Sequence, residues 1–182
     1  FAALKEDGSV VTWGHSQYGG DSSSVSSQLS SGVKEIFPSG YAFAALKEDG
    51  SVVTWGDSQS GGDSSSVSSQ LSSGVKQIFS TRFAFAALKE DGSVVTWGYS
   101  YYGGGDSSSV SSQLSSGVKE IFSTDHAFAA LKEDGSVVTW GHSLSAGDSS
   151  SVSSQLSSGV KEIFSTDGAF AALKEDGSVV TW

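Results

Sequence analysis

One stretch, FAALKEDGSVVTW, recurs five times without a change, at Phe1–Trp13, Phe43–Trp55, Phe85–Trp97, Phe128–Trp140 and Phe170–Trp182. The phenylalanines that open it are spaced by 42, 42, 43 and 42 residues. Self-similarity at a period of about 20–50 residues belongs to solenoids, propellers and arrays. In such proteins each unit contacts mainly its neighbours. The question is therefore what one unit forms and how it packs on the next.

The unit reads as a β-hairpin. Phe-Ala-Ala-Leu is a short apolar run and Ser-Val-Val-Thr-Trp is β-branched and aromatic, with Lys-Glu-Asp-Gly as turn chemistry between them. Asp-Gly suits a three-residue loop in which Gly50 is left-handed and forms a G1 bulge. That loop sets the register of the second copy: Leu46 opposite Val52, Ala45 opposite Val53, Ala44 opposite Thr54, and Phe43 opposite Trp55.

Side chains alternate across a strand, so Phe43, Ala45, Val53 and Trp55 share one face while Ala44, Leu46, Val52 and Thr54 share the other. Both faces are largely apolar, whereas a solvated antiparallel sheet shows one polar face. The hairpin is expected to lie between neighbours. Alone it is marginal in water; a Phe–Trp pair buried on both sides contributes up to about 4–8 kcal/mol.

The rest of each period is connector. After every hairpin but the last comes a variable Gly-rich loop: Gly14–Asp21, Gly56–Asp63, Gly98–Asp106 and Gly141–Asp148. The one-residue insertion falls in the third, as surface loops allow. Next is SSSVSSQLSSG, identical in all four connectors. Val25 and Leu29 at i, i+4, with Asp21 or Ser22 as cap and Gly32 as stop, spell a short helix. Each Ser costs a helix up to about 0.5 kcal/mol against Ala, so an irregular loop pinned by Val25 and Leu29 fits as well. GVKEIF, at Gly32–Phe37 and its equivalents, supplies a third strand. A four-residue link follows: Pro38–Tyr41, Ser80–Phe83, Ser123–His126 and Ser165–Gly168.

The order VKEIFSTDGAFAALKEDGSVVTWG resembles the repeat of the regulator of chromosome condensation superfamily, with its short Val-x-x-Ile strand, Ala-rich strand, Asp-Gly-x-Val and Trp-Gly. The period is similar to the compact repeat of the bacterial β-lactamase inhibitory protein of the second type. The resemblance covers about 24 of every 42 residues. It implies β-propeller blades and a non-catalytic, protein-binding role. The family's Gly-Gln-Leu-Gly segment after Trp-Gly is replaced by Gly-Gly-Asp-Ser-Ser-Ser. The expected fold is all-β: tandem 42-residue repeats of three short strands plus a Ser-rich connector, as propeller-like blades, the alternative being an open β-solenoid or superhelical stack. The units run 1–42, 43–84, 85–127 and 128–169, with a partial unit 170–182. A chain without Met that starts and stops inside a repeat reads as a segment of a longer repeat protein, or as a consensus-designed scaffold.

Variation among the repeats points to function. Differences collect in the loop after Trp-Gly and in the link before the Ala-Phe-Ala strand. All five tyrosines (Tyr18, Tyr41, Tyr99, Tyr101, Tyr102), all three histidines (His15, His126, His142) and the only arginine, Arg82, lie there, with Phe83 beside it. Phe43 opposite Trp55 places both variable segments on one rim, the constant KEDGS turns occupying the other. Rigid aromatics among Ser and Gly are a paratope-like mixture, and these ten residues are the candidate binding surface.

Other chemistry is poorly supplied. Net charge is −10, which argues against nucleic acid, since phosphate binding needs a basic surface. There is no Cys, and no apolar run approaches the roughly 18–20 residues of a membrane span. Asp21, Asp106 and Asp148 are each the single carboxylate of their loops and Asp63 shares its loop only with Asp57, whereas Ca²⁺ takes six to eight oxygens; they read as caps. Asp125 and His126 are adjacent and diverge if extended, a poor catalytic dyad. No catalytic residue, metal ligand or cofactor is expected. Expected partners are a protein or glycan surface, or further copies of the chain as a fibre or stalk, in an extracellular or cell-surface setting.

Overall fold

The Asp-Gly turn dictates how each hairpin closes, and the computed structural model, which describes residues 1–182, shows the register it sets. Strand β4 (Ala42–Lys47) pairs with β5 (Val52–Gly56) so that Phe43 faces Trp55, Ala44 faces Thr54, Ala45 faces Val53 and Leu46 faces Val52. Gly50 is left-handed at φ +76°. Asp49 locks the turn by accepting from the Ser51 N–H at 2.9 Å and from its hydroxyl at 2.6 Å. Those two bonds, the hydroxyl's first, hold the Asp49 carboxyl below the usual carboxylate range.

The third strand, β3 (Val33–Pro38), lies antiparallel on the far edge of β4, with a bulge between Val33 and Glu35. The same three-stranded sheet recurs as β6 (Val75–Ser80), β7 (Ala84–Lys89) and β8 (Val94–Gly98); as β9 (Val118–Ser123), β10 (Ala127–Lys132) and β11 (Val137–Gly141); and as β12 (Val160–Ser165), β13 (Phe170–Lys174) and β14 (Val179–Thr181). The first hairpin, β1 (Ala2–Leu4) and β2 (Val10–Thr12), forms a two-stranded sheet. Each three-stranded blade takes its first strand from the end of one period and its hairpin from the next. The architecture is all-β, with separate small sheets stacked in sequence order.

The two apolar faces of the hairpin are covered by different neighbours. Between the second and third blades, Ala42, Ala44 and Leu46 meet Phe85, Ala87, Val95 and Trp97, while Leu71, Val75 and Ile78 complete the cluster. One period on, Ala84, Ala86 and Leu88 meet Phe128, Ala130, Val138 and Trp140 in the same way. Small Ala methyls on one face leave room for the bulky Phe–Trp pair on the other, so facing layers interdigitate. At the two ends these faces are open: Phe1 is 76% and Val179 60% exposed.

The Ser-rich connector is neither a regular helix nor an irregular loop. Ser23–Val25 forms a 3₁₀ turn, and the Gln28 and Leu29 N–H groups then both donate to the Val25 carbonyl at 2.9 and 3.1 Å. Leu29 is buried and Val25 packs on the same cluster, so both anchors dock as expected. Asp21 caps the turn by accepting from the Ser23 N–H at 2.9 Å, the bond chiefly responsible for lowering its carboxyl pKa. Backbone hydrogen bonds also tie the blades together. On the constant rim Val33 N–H donates to Gly8 and Val75 N–H to Gly50, each at 3.0 Å; at the links Gly40 donates to Arg82, Arg82 to Asp125 and Asp125 to Asp167, each at 2.9 Å.

Candidate functional site

The variable loop and the variable link of each blade are joined by a hydroxyl and a backbone contact. In the third blade the Thr81 hydroxyl accepts from the Ala84 N–H at 3.1 Å and donates to the Gly103 carbonyl at 2.8 Å. Thr124 does the same between Ala127 at 3.0 Å and Ser145 at 3.2 Å, and Ser39 sits at the equivalent place, 3.0 Å from the Ala42 nitrogen. Nearby, Tyr99 N–H donates to the Phe83 carbonyl and His142 N–H to that of His126, both at 3.0 Å. Link and loop are thus tied into a single corner in these three blades.

Each corner is also held by the next blade. The indole N–H of Trp55 donates to Gly19, that of Trp97 to Gly61 and that of Trp140 to Gly104, all at 3.1 Å and 36 residues apart in sequence. Close approach requires glycine here: Gly61 has φ +95°, and a Cβ on it would lie 2.6 Å from the Phe85 ring. The fourth loop keeps the tie, the Trp182 indole donating to Ala146 at 3.1 Å, but not the glycine. Ala146 occupies the position with φ +68°, and the Phe170–Trp182 pair beneath it is tilted by 32° where Phe85–Trp97 is tilted by 20°.

On this scaffold the ten rim residues come together as a band. His15 stacks on Tyr18 with centroids 4.5 Å apart, and Tyr18 meets Tyr41 edge-on at 5.1 Å. Tyr41, Phe83 and His126, at equivalent link positions of successive blades, stack in a ladder with spacings of 5.5 Å and 5.5 Å. The loop residues branch from it: Phe83 to Tyr99 at 6.4 Å, Tyr99 to Tyr102 at 6.1 Å, Tyr102 to Tyr101 at 4.7 Å and Tyr102 to His142 at 4.9 Å. His126 also approaches the Tyr102 carbonyl through Nδ1 at 3.0 Å. Arg82 lies 5.9 Å from the Tyr41 centroid and 5.7 Å from that of Phe83, and donates to the Tyr41 hydroxyl at 3.4 Å.

The band is largely solvent-facing: Tyr18, Tyr99, Tyr101 and Tyr102 are all exposed. Beside it the links form a polar groove of about 450 Å³, whose walls include Arg82, Asp125 and Asp167. Sequence reasoning missed the positioning hydroxyls of Ser39, Thr81 and Thr124, whose only signal was a Ser or Thr second in every link. It also missed the tryptophan ties, which carry no local signal. No helix is long and apolar enough to cross a membrane.

Stacked three-stranded blades of this kind give the chain an RCC1-like, propeller-like fold. Among solved structures the chain is similar to Prp20p from Saccharomyces cerevisiae, described with its binding to Gsp1p and histones, at 18% identity and TM-score 0.55, over 82% of this chain and 44% of that one. It is similar to yeast RCC1 (Prp20) bound to Kap60, at 19% identity and TM-score 0.55, over 82% and 43% of the two chains. A third neighbour is human WBSCR16, at 18% identity and TM-score 0.51, over 82% and 47%. The chain spans less than half the length of each, and at these identities the likeness is one of fold. The likeness to the bacterial inhibitor rests on the repeat period alone. No family model matches the sequence, and no curated protein matches it.

Proposed function

We propose that the chain is a non-catalytic repeat module that binds a protein partner through the aromatic band. The observation that carries this reading is the continuity of the band: residues that vary from repeat to repeat in sequence lie in one connected surface across four blades. Aromatic side chains and Arg are also the residues that carry most binding energy at protein interfaces. The fold neighbours support the reading in kind, since Prp20p is described by its binding to Gsp1p and histones.

The test is an exchange of Gly98–Asp106 and Tyr41 for a Ser/Gly consensus, followed by selection of both chains against one displayed peptide library. The parent chain is expected to enrich binders that the exchanged chain does not retain, with the two melting temperatures equal. Retention of the same binders by the exchanged chain overturns the reading.

A further inference from the structure

The band contains one recess with a distinct chemistry. It has a volume of about 330 Å³ and is lined by Gln59, Ser60, Phe83, Tyr99 and Tyr102. That places it at the small end of ligand sites, which run from about 300 to 1,000 Å³. Phe83 and Tyr99 meet at 59° with centroids 6.4 Å apart, and Tyr102 stacks nearly parallel to Tyr99, at 12° and 6.1 Å. A cation within about 6 Å of an aromatic face is attracted by the ring quadrupole.

Three features favour a positive guest. No cation lines the recess itself: neither Arg82, whose guanidinium lies 5.7 Å from the Phe83 centroid, nor any Lys is among its walls. Asp57 sits against the wall, its carboxylate accepting from the Ser60 N–H at 2.8 Å. The chain as a whole carries a net charge of −10, which draws basic partners by long-range attraction.

We infer that the recess is a cation–π cage for the side-chain ammonium of a lysine on a basic protein partner. Trimethylated lysine is the tightest guest, because a quaternary ammonium sheds water more easily and fits aromatic cages. The inference rests on the reading of the band as a protein-binding surface, and names the group recognised at its centre.

The test titrates the full chain with Nα-acetyl-Nε-trimethyl-lysine amide and with its neutral isostere, carbon replacing the quaternary nitrogen, following the Tyr99 and Tyr102 ring resonances by NMR. The cation is expected to bind at least about fivefold more tightly than the isostere. Tyr99→Leu is expected to abolish that preference, and Tyr99→Phe, which keeps the ring, to retain it. Equal affinity for the two probes, a preference that survives Tyr99→Leu, or no shift of either tyrosine overturns the cage. The two readings fail separately: a lost cation preference with loop-dependent peptide binding removes the cage and leaves the rim, whereas loop-independent peptide binding removes the rim.

Discussion

The molecule holds two aromatic systems built with similar spacings and put to opposite uses. Inside, the three-stranded blades pack a Phe–Trp pair against the blade before, as Phe85 and Trp97 do with centroids 5.3 Å apart. On the rim, Tyr41, Phe83 and His126 stack at 5.5 Å and 5.5 Å, in contact with water. The inner pairs are identical in every repeat, because each must fit the same Ala-lined face of the preceding blade. The rim rings differ at every step, because their surroundings impose only spacing. Stacking geometry alone therefore does not say what an aromatic is for; the identity of its neighbours across repeats does.

Three substitutions probe how separate the two systems are. Trp97→Ala opens a cavity in the second interface and removes the tie to Gly61; it is expected to cost about 3–5 kcal/mol in urea unfolding. A loss within about 0.5 kcal/mol would mean that the inner pair is no more structural than the band. Gly61→Ala keeps the core atoms but drives a methyl into Phe85 and forces a left-handed alanine, an expected loss of about 1–3 kcal/mol. Unchanged stability would show that the loop yields freely and is not fixed by the core. Ala146→Gly does the reverse in the fourth loop. Relief of its left-handed strain is expected to stabilise the chain by about 1 kcal/mol, with the Trp182 fluorescence maximum shifting as its ring settles on Phe170. Destabilisation there would break the equivalence of the four loops.

Much of the fold was legible because the repeat says the same thing five times. The hairpin register followed from Lys-Glu-Asp-Gly, and the sandwiching of both faces followed from Ala44 and Leu46 being as apolar as Ala45 and Val53. The connector was less legible, since Val25 and Leu29 four apart suit a helix, a 3₁₀ turn and a pinned loop alike; serine's weak helix propensity left docking to decide. At the site, the gathering of tyrosines on one rim followed from Phe43 opposite Trp55. Their fusion into one band did not, because it depends on how far apart successive blades stand, which no single repeat encodes. Thr81 and Thr124 were hidden by the abundance of serine around them, and the tryptophan ties by the 36 residues between partners.

Those ties make each loop the joint property of two blades: its sequence comes from one and its anchor from the next. Because every anchor is the same tryptophan, a loop moved to another blade meets the fastening it left. The band is in this sense typeset rather than carved. The order of loops along the chain spells the order of side chains along the surface, and transposing two of them writes a different message on the same page.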